Sequence, residues 1–138
     1  MADDESMIRT LGRIYARASL QGRRLSWHEK LTSIWRPYYA PFDELMQWIP
    51  RGSSILDIGC GSGAFLFLCA DRRNARKCVG IDANARAIEL ANLVSISPEH
   101  SFTIGTDVPS DLLEAADVIT MIDVLHHIPR DAKVKFLN

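Results

Sequence analysis

The order of apolar and polar positions changes character near residue 51. From there on, short apolar runs alternate with segments in which apolar residues recur at helical spacing. The apolar runs predict four buried strands, at 54–58, 78–82, 101–105 and 117–122. Helices are predicted at 64–72, from Asn84 until Ser97, at 112–115 and, after Pro129, at 129–138. Strands that alternate with helices form a parallel sheet with helices on its faces, so the predicted fold class is α/β.

The residues before this point follow a helical pattern instead. Apolar side chains recur at helical spacing in two groups, which predicts two or three short helices with polar outer faces. The groups are Ile8, Leu11, Ile14 and Tyr15, then Trp27, Leu31, Ile34 and Trp35. Prolines at positions 37, 41 and 50 interrupt the pattern. We therefore expect a helical cap at 1–50 and a sheet-bearing segment at 51–138.

The cap is locally basic and aromatic. Between residues 7 and 36 the single acid is Glu29, and the basic residues are Arg9, Arg13, Arg17, Arg23, Arg24, Lys30 and Arg36. These arginines could recognise an anionic substrate, but a solvated face is the favoured interpretation. Seven aromatic residues also precede residue 51, namely Tyr15, Trp27, Trp35, Tyr38, Tyr39, Phe42 and Trp48. We expect the tryptophans and tyrosines to pack between the cap and the sheet rather than to form a substrate cage.

The overall composition excludes several classes of protein. With 138 residues, 47% hydrophobic and 24% charged, the chain has the composition of one ordinary globular domain. A net charge of −1 gives no overall field that would gather nucleic acid or an anionic membrane. Cys60, Cys69 and Cys78 form no CxxC pair, which favours reduced thiols and no metal. The acidic start and the absence of a long apolar run predict a soluble, cytoplasmic protein with no membrane span.

Glycines and a carboxylate mark the carboxyl ends of the first two predicted strands, where parallel sheets bind ligands. Gly59, Gly61 and Gly63 form a turn in which a ligand can approach main-chain amides at the start of the next helix. Asp82 ends the second strand, at the position where a carboxylate can accept both hydroxyls of a ribose. A nucleoside is therefore the expected ligand.

The charge of Asp57 bears on which nucleoside derivative binds. The glycine pattern also fits the loose dinucleotide-binding motif, which keeps a nicotinamide dinucleotide open as an alternative. A carboxylate at the end of the first strand would repel a pyrophosphate but would favour an ammonium and a sulfonium. S-adenosylmethionine carries both of these cations and no phosphate.

At these residues the chain resembles the class I S-adenosylmethionine-dependent methyltransferases, specifically the small-molecule group that includes the ubiquinone-biosynthesis type. The likeness runs from residue 51 to residue 130 and rests on the segments 55–63, 79–82, 117–119 and 124–128 together with Asp107. It implies a Rossmann-like sheet with 51–138 as its cofactor-binding half, S-adenosyl-L-methionine as cofactor and S-adenosyl-L-homocysteine as product. The cofactor-binding residues it implies are Asp57, Gly59, Cys60, Gly61, Gly63, Asp82, Ala83, Asp107, Val108 and Asp123. Of these, Ala83 would lie against adenine, and Asp107 with the Val108 amide would read the adenine edge.

The histidines after the fourth strand invite two interpretations. The spacing of Asp123, His126 and His127 lacks the helical geometry of a paired-histidine metal site, so a metal is not expected. A general base is the better interpretation, since imidazole titrates near neutrality, and His127 is the candidate. Family members that methylate base amines usually carry an Asn/Asp-Pro-Pro-aromatic tetrapeptide here, whereas this chain has residues 122–125 without proline. Nucleic acid is therefore not the expected acceptor.

The leading hypothesis is transfer of a methyl group to a small-molecule acceptor by in-line displacement, with orientation as the main contribution of the protein. A noncatalytic or partner-dependent module that binds S-adenosylmethionine or S-adenosylhomocysteine is the alternative, and a dinucleotide-binding domain is the third. The family's sheet has seven strands and four are expected here. A bare fourth strand would leave Val118, Ile119, Met121 and Ile122 poorly covered, so we expect either a fragment of a longer protein, truncated after the fourth strand, or a second chain that covers this edge. If these residues fold alone, we expect a dimer or a strand-exchanged assembly.

Overall fold

The computed structural model describes residues 2–20, 26–35 and 40–122. Three helices come first, α1 (Ala2–Leu20), α2 (Trp27–Ile34) and α3 (Phe42–Met46). The sheet segment follows with β1 (Ser54–Ile58), α4 (Ala64–Arg73), β2 (Lys77–Asp82), α5 (Ala85–Val94), β3 (His100–Ile104), α6 (Ser110–Ala115) and β4 (Val118–Thr120). The alternation predicted from the apolar runs is confirmed. The predicted helix at 129–138 lies outside the described residues.

The four strands form one parallel sheet in the order β3-β2-β1-β4. The chain moves outward from β1 to β3 and then returns to the other side of β1 for β4. Strand order therefore reverses between β1 and β4, and ligands of open parallel sheets bind beyond the carboxyl ends of the strands at such a reversal. The α/β, Rossmann-like fold class is confirmed, and its topology directs attention to the ends of β1, β2 and β4.

The two faces of the sheet pack against different helices. One face carries the larger core, to which α1, α3, α4 and α5 contribute buried apolar side chains. The other face carries a smaller cluster of Leu56, Val79 and Ile81, against which Leu112 of α6 packs. Because side chains alternate along a strand, Asp57 points to the face of the larger core. This places the cap and the end of β1 on the same side.

The fourth strand is shorter than predicted, and one of its expected exposures is wrong. Ile119 and Met121 are exposed, as expected for a strand at the edge of the described sheet, and Val118 is half-buried. Ile122, however, is buried in the larger core. The reason is the alternation of side chains, since Val118 and Ile122 point to the covered face and Ile119 points away from it. That another strand or chain covers this edge stays a prediction.

The cap divides its aromatic residues between core and solvent. Tyr15 is buried in the larger core, which confirms its expected packing role, and Phe42 is buried there as well. Trp27, Trp35 and Trp48 are exposed, so the expectation that they pack between cap and sheet is wrong. Tyr38 and Tyr39, for which the same packing role is expected, lie outside the described residues. Arg9, Arg13 and Arg17 are exposed on α1, as expected of a solvated face. Among the helices that can be described, none is long and apolar enough to cross a membrane.

Candidate functional site

The glycine turn after β1 is tied to the neighbouring strand. Gly59, Gly61 and Gly63 have φ angles of 77°, 56° and 86°, a region that residues with a Cβ rarely adopt. The backbone amides of Gly59 and Cys60 both donate to the carbonyl oxygen of Ile81, at 2.7 and 3.2 Å. The turn therefore rises from the sheet between β1 and β2 with its position set by the backbone of β2.

Asp82 holds the turn and the next helix with its two carboxylate oxygens. Oδ2 accepts a hydrogen bond from the Gly61 amide at 2.8 Å, and Oδ1 accepts one from the Asn84 amide at 2.8 Å. Asn84 in turn caps α5, because its side chain accepts from the amides of Arg86 and Ala87. The predicted N-cap is confirmed. One carboxylate thus connects the glycine turn to the start of α5.

Asp57 lies at the point where strand order reverses. Its side chain is only 2% exposed, and its Oδ1 accepts a hydrogen bond from the Thr120 hydroxyl at 2.7 Å. Asp57 and Thr120 are also opposite each other in the β1–β4 register. A carboxylate is therefore kept in a desolvated position at the boundary between β1 and β4, where an isolated negative charge is costly unless it is solvated by donors or matched by a cation.

A cavity of about 280 Å³ opens beside these groups. The glycine turn, α2, α5 and the core each contribute to its lining, which consists of Glu29, Thr32, Ser33, Phe42, Asp57, Gly59, Cys60, Gly61, Ser62, Ala64, Phe65, Asn84, Arg86, Ala87, Leu90 and Ile122. Among the residues that the structure describes, the charged ones in the lining are two acids, Glu29 and Asp57, and one base, Arg86. A Cβ placed on Gly61 would meet no atom within 4 Å, so the turn presents open space to a ligand.

The cap reaches the glycine turn through three hydroxyl groups. The Tyr15 hydroxyl lies 2.9 Å from the carbonyl oxygen of Ser62, to which it donates, and 3.1 Å from the Ser62 hydroxyl. Ser33 of α2 shares a hydrogen bond of 2.9 Å with the same Ser62 hydroxyl. The Tyr15 ring packs edge-on against Phe67, with ring centroids 6.1 Å apart. Helices α1 and α2 therefore both contact the turn at Ser62.

Replacing Tyr15 by Phe tests this contact, because it removes the hydroxyl and keeps the ring against Phe67. A neutral hydrogen bond contributes about 0.5–1.5 kcal/mol, so amide exchange at residues 61–63 should accelerate by roughly two- to tenfold. Exchange in β1 should not change. Ser33→Ala is the matched variant, since it removes the second contact to Ser62 alone. Unchanged exchange at the turn in Tyr15→Phe would contradict a holding role for the hydroxyl.

An ion pair connects α2 to α5 across the cavity. The Arg86 guanidinium donates from Nε to Oε1 of Glu29 and from Nη2 to Oε2 at 3.1 Å. Its Nη1 donates to Glu89 on the same helix at 2.9 Å. The hydrogen bond from Arg86, together with the Ser26 amide, lowers the pKa of Glu29 to about 2. Glu29 is therefore ionised at neutral pH.

Several residues predicted for cofactor binding lie outside the cavity lining. Gly63 is buried under the rings of Phe67 and Phe102. Ala83 and Asp107 are exposed, and Val108 is half-buried against the smaller core cluster. The cavity is lined by four of the predicted residues, Asp57, Gly59, Cys60 and Gly61. Asp82 is outside the lining and accepts a hydrogen bond from the Gly61 amide of the turn. Asp123, His126 and His127 lie outside the described residues.

Cys60 lies in the cavity wall as a neutral thiol. All three cysteines are buried and free. Burial, followed by the charges of Asp57 and Asp82, raises the pKa of the Cys60 thiol well above its usual value. A thiolate is the nucleophilic form of cysteine, so the environment of Cys60 disfavours nucleophilic chemistry. Its place in the lining supports a contact role instead.

Five residues of the site have no counterpart in the sequence-based prediction. They are Tyr15, Glu29, Ser33, Ser62 and Arg86, which join the cap to the turn and to α5. The sequence does carry one signal for them. Ser26 and Glu29 have the spacing of a capping box, and the structure shows both of its reciprocal hydrogen bonds. The pairing of Glu29 with Arg86, 57 positions away, has no local signal.

Comparison with known proteins agrees with the fold. The ubiquinone biosynthesis O-methyltransferase of Pseudomonas savastanoi pv. phaseolicola is 29% identical over 87 residues, which cover 60% of this chain and 37% of that protein. The S-adenosylmethionine dependent methyltransferase from Mesorhizobium loti has a TM-score of 0.54 at 21% identity, over 67% of this chain and 43% of that one. The YcgJ protein of Bacillus subtilis has a TM-score of 0.53 at 24% identity, over 67% and 41%.

The matches differ in how much of each protein they cover. The two structures share the fold with this chain, and the chain spans 37% of the length of the curated relative that it matches. A family model for the methyltransferase domain matches residues 27–134. This match includes α2, the whole described sheet, and the segment with His126 and His127. Because it covers well over half of the chain, the chain belongs to the methyltransferase domain family.

Proposed function

We propose that residues 51–138 form the cofactor-binding half of an S-adenosyl-L-methionine-dependent methyltransferase, with 1–50 as a helical cap. The protein of which they form part transfers a methyl group to a small-molecule acceptor. The family match supports methyl transfer. The name of the curated relative, a ubiquinone biosynthesis O-methyltransferase, supports an acceptor that is a small organic molecule.

The observation that carries the proposal is the charge of the cavity. Its only described cation, Arg86, already binds two carboxylates, those of Glu29 and Glu89. Asp57 adds a buried carboxyl group beside the glycine turn. A cavity of this charge favours a ligand with an ammonium and a sulfonium, whose charges attract a carboxylate. It disfavours a pyrophosphate, which would lie against the same carboxylate.

Asp82 fits the role of a ribose ligand although both of its oxygens are in use. Each carboxylate oxygen offers about two acceptor sites, and each Asp82 oxygen accepts one described backbone amide. One further hydrogen bond from a ribose hydroxyl can therefore be accepted by each oxygen. We assign the adenine contacts to Ala83, Asp107 and the Val108 amide, which follow β2 and β3.

The bound cofactor would supply an electrophilic methyl group, which an acceptor oxygen, nitrogen or carbon attacks in line as S-adenosyl-L-homocysteine leaves. The residues of this chain would bind and orient, and orientation can contribute several kcal/mol to catalysis. Asp57, Gly59, Cys60 and Gly61 line the cavity, and we assign to them, together with Asp123, the contacts with the methionine end of the cofactor. His127 is the candidate general base for the acceptor proton, because imidazole titrates near neutrality.

Calorimetry with S-adenosyl-L-homocysteine and with NAD tests the proposed ligand. The expected result is binding of the homocysteine compound and none of NAD at the same concentrations. Binding of NAD alone would contradict the proposal and would identify a dinucleotide-binding domain. A labelled-methyl assay with S-adenosyl-L-methionine and a panel of small hydroxy and amino acceptors tests turnover. Binding without methyl transfer would identify the noncatalytic or partner-dependent module.

A further inference from the structure

Helix α2 leaves much of its apolar stripe exposed to solvent. Trp27, Leu31 and Trp35 follow one another at spacings of four residues and are 76%, 38% and 43% exposed. Ile34 is partly buried against the larger core. A helix on the surface of a globular domain usually buries its apolar stripe. The apolar stripe of α2 is therefore buried only in part.

The opposite side of α2 faces the cavity and is polar. It contributes Glu29, Thr32 and Ser33 to the lining. Two side-chain contacts of this face reach the sheet segment, Ser33 to Ser62 at 2.9 Å and Glu29 to Arg86 through both carboxylate oxygens. The first reaches the glycine turn and the second reaches α5. Helix α2 thus spans the cavity between two of its walls.

The carboxylate of Glu29 has a second role in starting the helix. Its Oε2 also accepts from the Ser26 amide at 2.9 Å, which closes the capping box. The first turn of α2 and the contact to α5 therefore share one side chain. Glu89 accepts a hydrogen bond from the third guanidinium nitrogen at 2.9 Å, a contact that lies within α5. The ion pair is solvent-accessible, with half of the Arg86 side chain exposed.

We propose that α2 is a lid over the cavity and that Glu29 and Arg86 are the positioning residues that hold it closed. Opening of α2 would admit and release the ligand, and salt would promote it because an accessible ion pair is screened. The identity of the ligand rests on the proposed function, whereas the opening of α2 can be measured without any ligand.

Hydrogen exchange of the α2 amides in the ligand-free 138-residue chain measures the opening. Glu29→Gln removes the charge and keeps a residue that serves in a capping box, and Arg86→Gln removes the other partner. Each should accelerate exchange in α2 by roughly two- to fivefold, as expected for an accessible ion pair. The double variant should be no faster than either single variant, because both remove the same interaction. Added salt should accelerate exchange in the wild type more than in Arg86→Gln.

Glu89→Gln is the matched control. It removes the contact of Arg86 within α5 and leaves the one to α2, so exchange in α2 should stay within twofold of the wild type. Exchange in β1 reports on global unfolding and should be the same in all variants. An α2 exchange rate that does not respond to Glu29→Gln, Arg86→Gln or salt would overturn the lid.

Stopped-flow release of S-adenosyl-L-homocysteine connects the lid to the ligand. In Glu29→Gln, release should accelerate by the same factor as exchange in α2, and Glu89→Gln should leave it unchanged. If the wild type does not bind this compound while α2 exchange responds as described, the proposed function fails and the lid remains. If the compound binds and its release rate in Glu29→Gln equals that of the wild type, the lid does not control access and that part of the proposal is overturned.

Discussion

Replacing Gly63 by Ala should lower the free energy of unfolding by about 3 kcal/mol and the Tm by roughly 10 °C. Two costs act together at this residue. Its φ of 86° disfavours any residue with a Cβ, at about 1–2 kcal/mol. A Cβ built there would also lie 2.8 Å from Cε1 of Phe102 and 3.0 Å from Cε2 of Phe67. Both rings belong to the packed core, so the clash adds about 1–3 kcal/mol.

Gly52→Ala separates the two costs. Gly52 also has a positive φ, of 75°, but a Cβ there would meet no atom within 4 Å. This variant should therefore lose only the backbone contribution, about 1 kcal/mol. Denaturant unfolding of both variants followed by circular dichroism makes the comparison. Equal losses in the free energy of unfolding would contradict this prediction, because they would show that a Cβ at residue 63 can contact the two aromatic rings without a cost.

Replacing Asp82 by Ala should weaken binding of S-adenosyl-L-homocysteine by a factor on the order of 100 or more. Hydrogen bonds to a charged group contribute about 1.5–3 kcal/mol each. The variant loses the acceptors of the Gly61 and Asn84 amides, which hold the turn and the start of α5. Under the proposed function it also loses the acceptors of the ribose hydroxyls. Calorimetry measures the dissociation constant.

Asp71→Ala is the control for this change in charge. Asp71 is an exposed acid on α4 and does not line the cavity. Its removal should leave the dissociation constant within about twofold of the wild type, because a distant exposed charge is screened. Asp82→Asn, which keeps one side-chain acceptor, should fall between Asp82→Ala and the wild type. A dissociation constant for Asp82→Ala equal to that of the wild type would remove Asp82 from the binding site.

The sheet segment shows why local pattern predicts this fold. Strand β1 is confirmed at Ser54–Ile58, and α4 begins at Ala64 directly after the glycine turn. The predicted N-cap of α5 is confirmed, because the Asn84 side chain accepts hydrogen bonds from two backbone amides. In each case the signal lies within a few residues, since apolar runs, glycines and N-caps act on the backbone near them.

The cap shows where the same reasoning is insufficient. The spacing of Trp27, Leu31 and Trp35 predicts a helix correctly, but the face that these residues share is exposed. Ser33, from the polar side, is the buried residue of α2 and binds Ser62. The spacing of apolar residues predicts that the helix has an apolar face and a polar face. Which face meets the domain depends on partners that are distant in sequence.

The sequence by itself determined the order of strands and helices, the glycine turn and the carboxylates at the ends of β1 and β2. These features depend on residue type and on neighbours along the chain. Only the tertiary structure decided that Tyr15 and Ser33 meet Ser62 and that Glu29 binds Arg86. The physical reason is that a hydrogen bond or an ion pair forms between atoms within a few ångströms of each other, and for residues far apart in the sequence this distance is set by how the cap packs on the sheet.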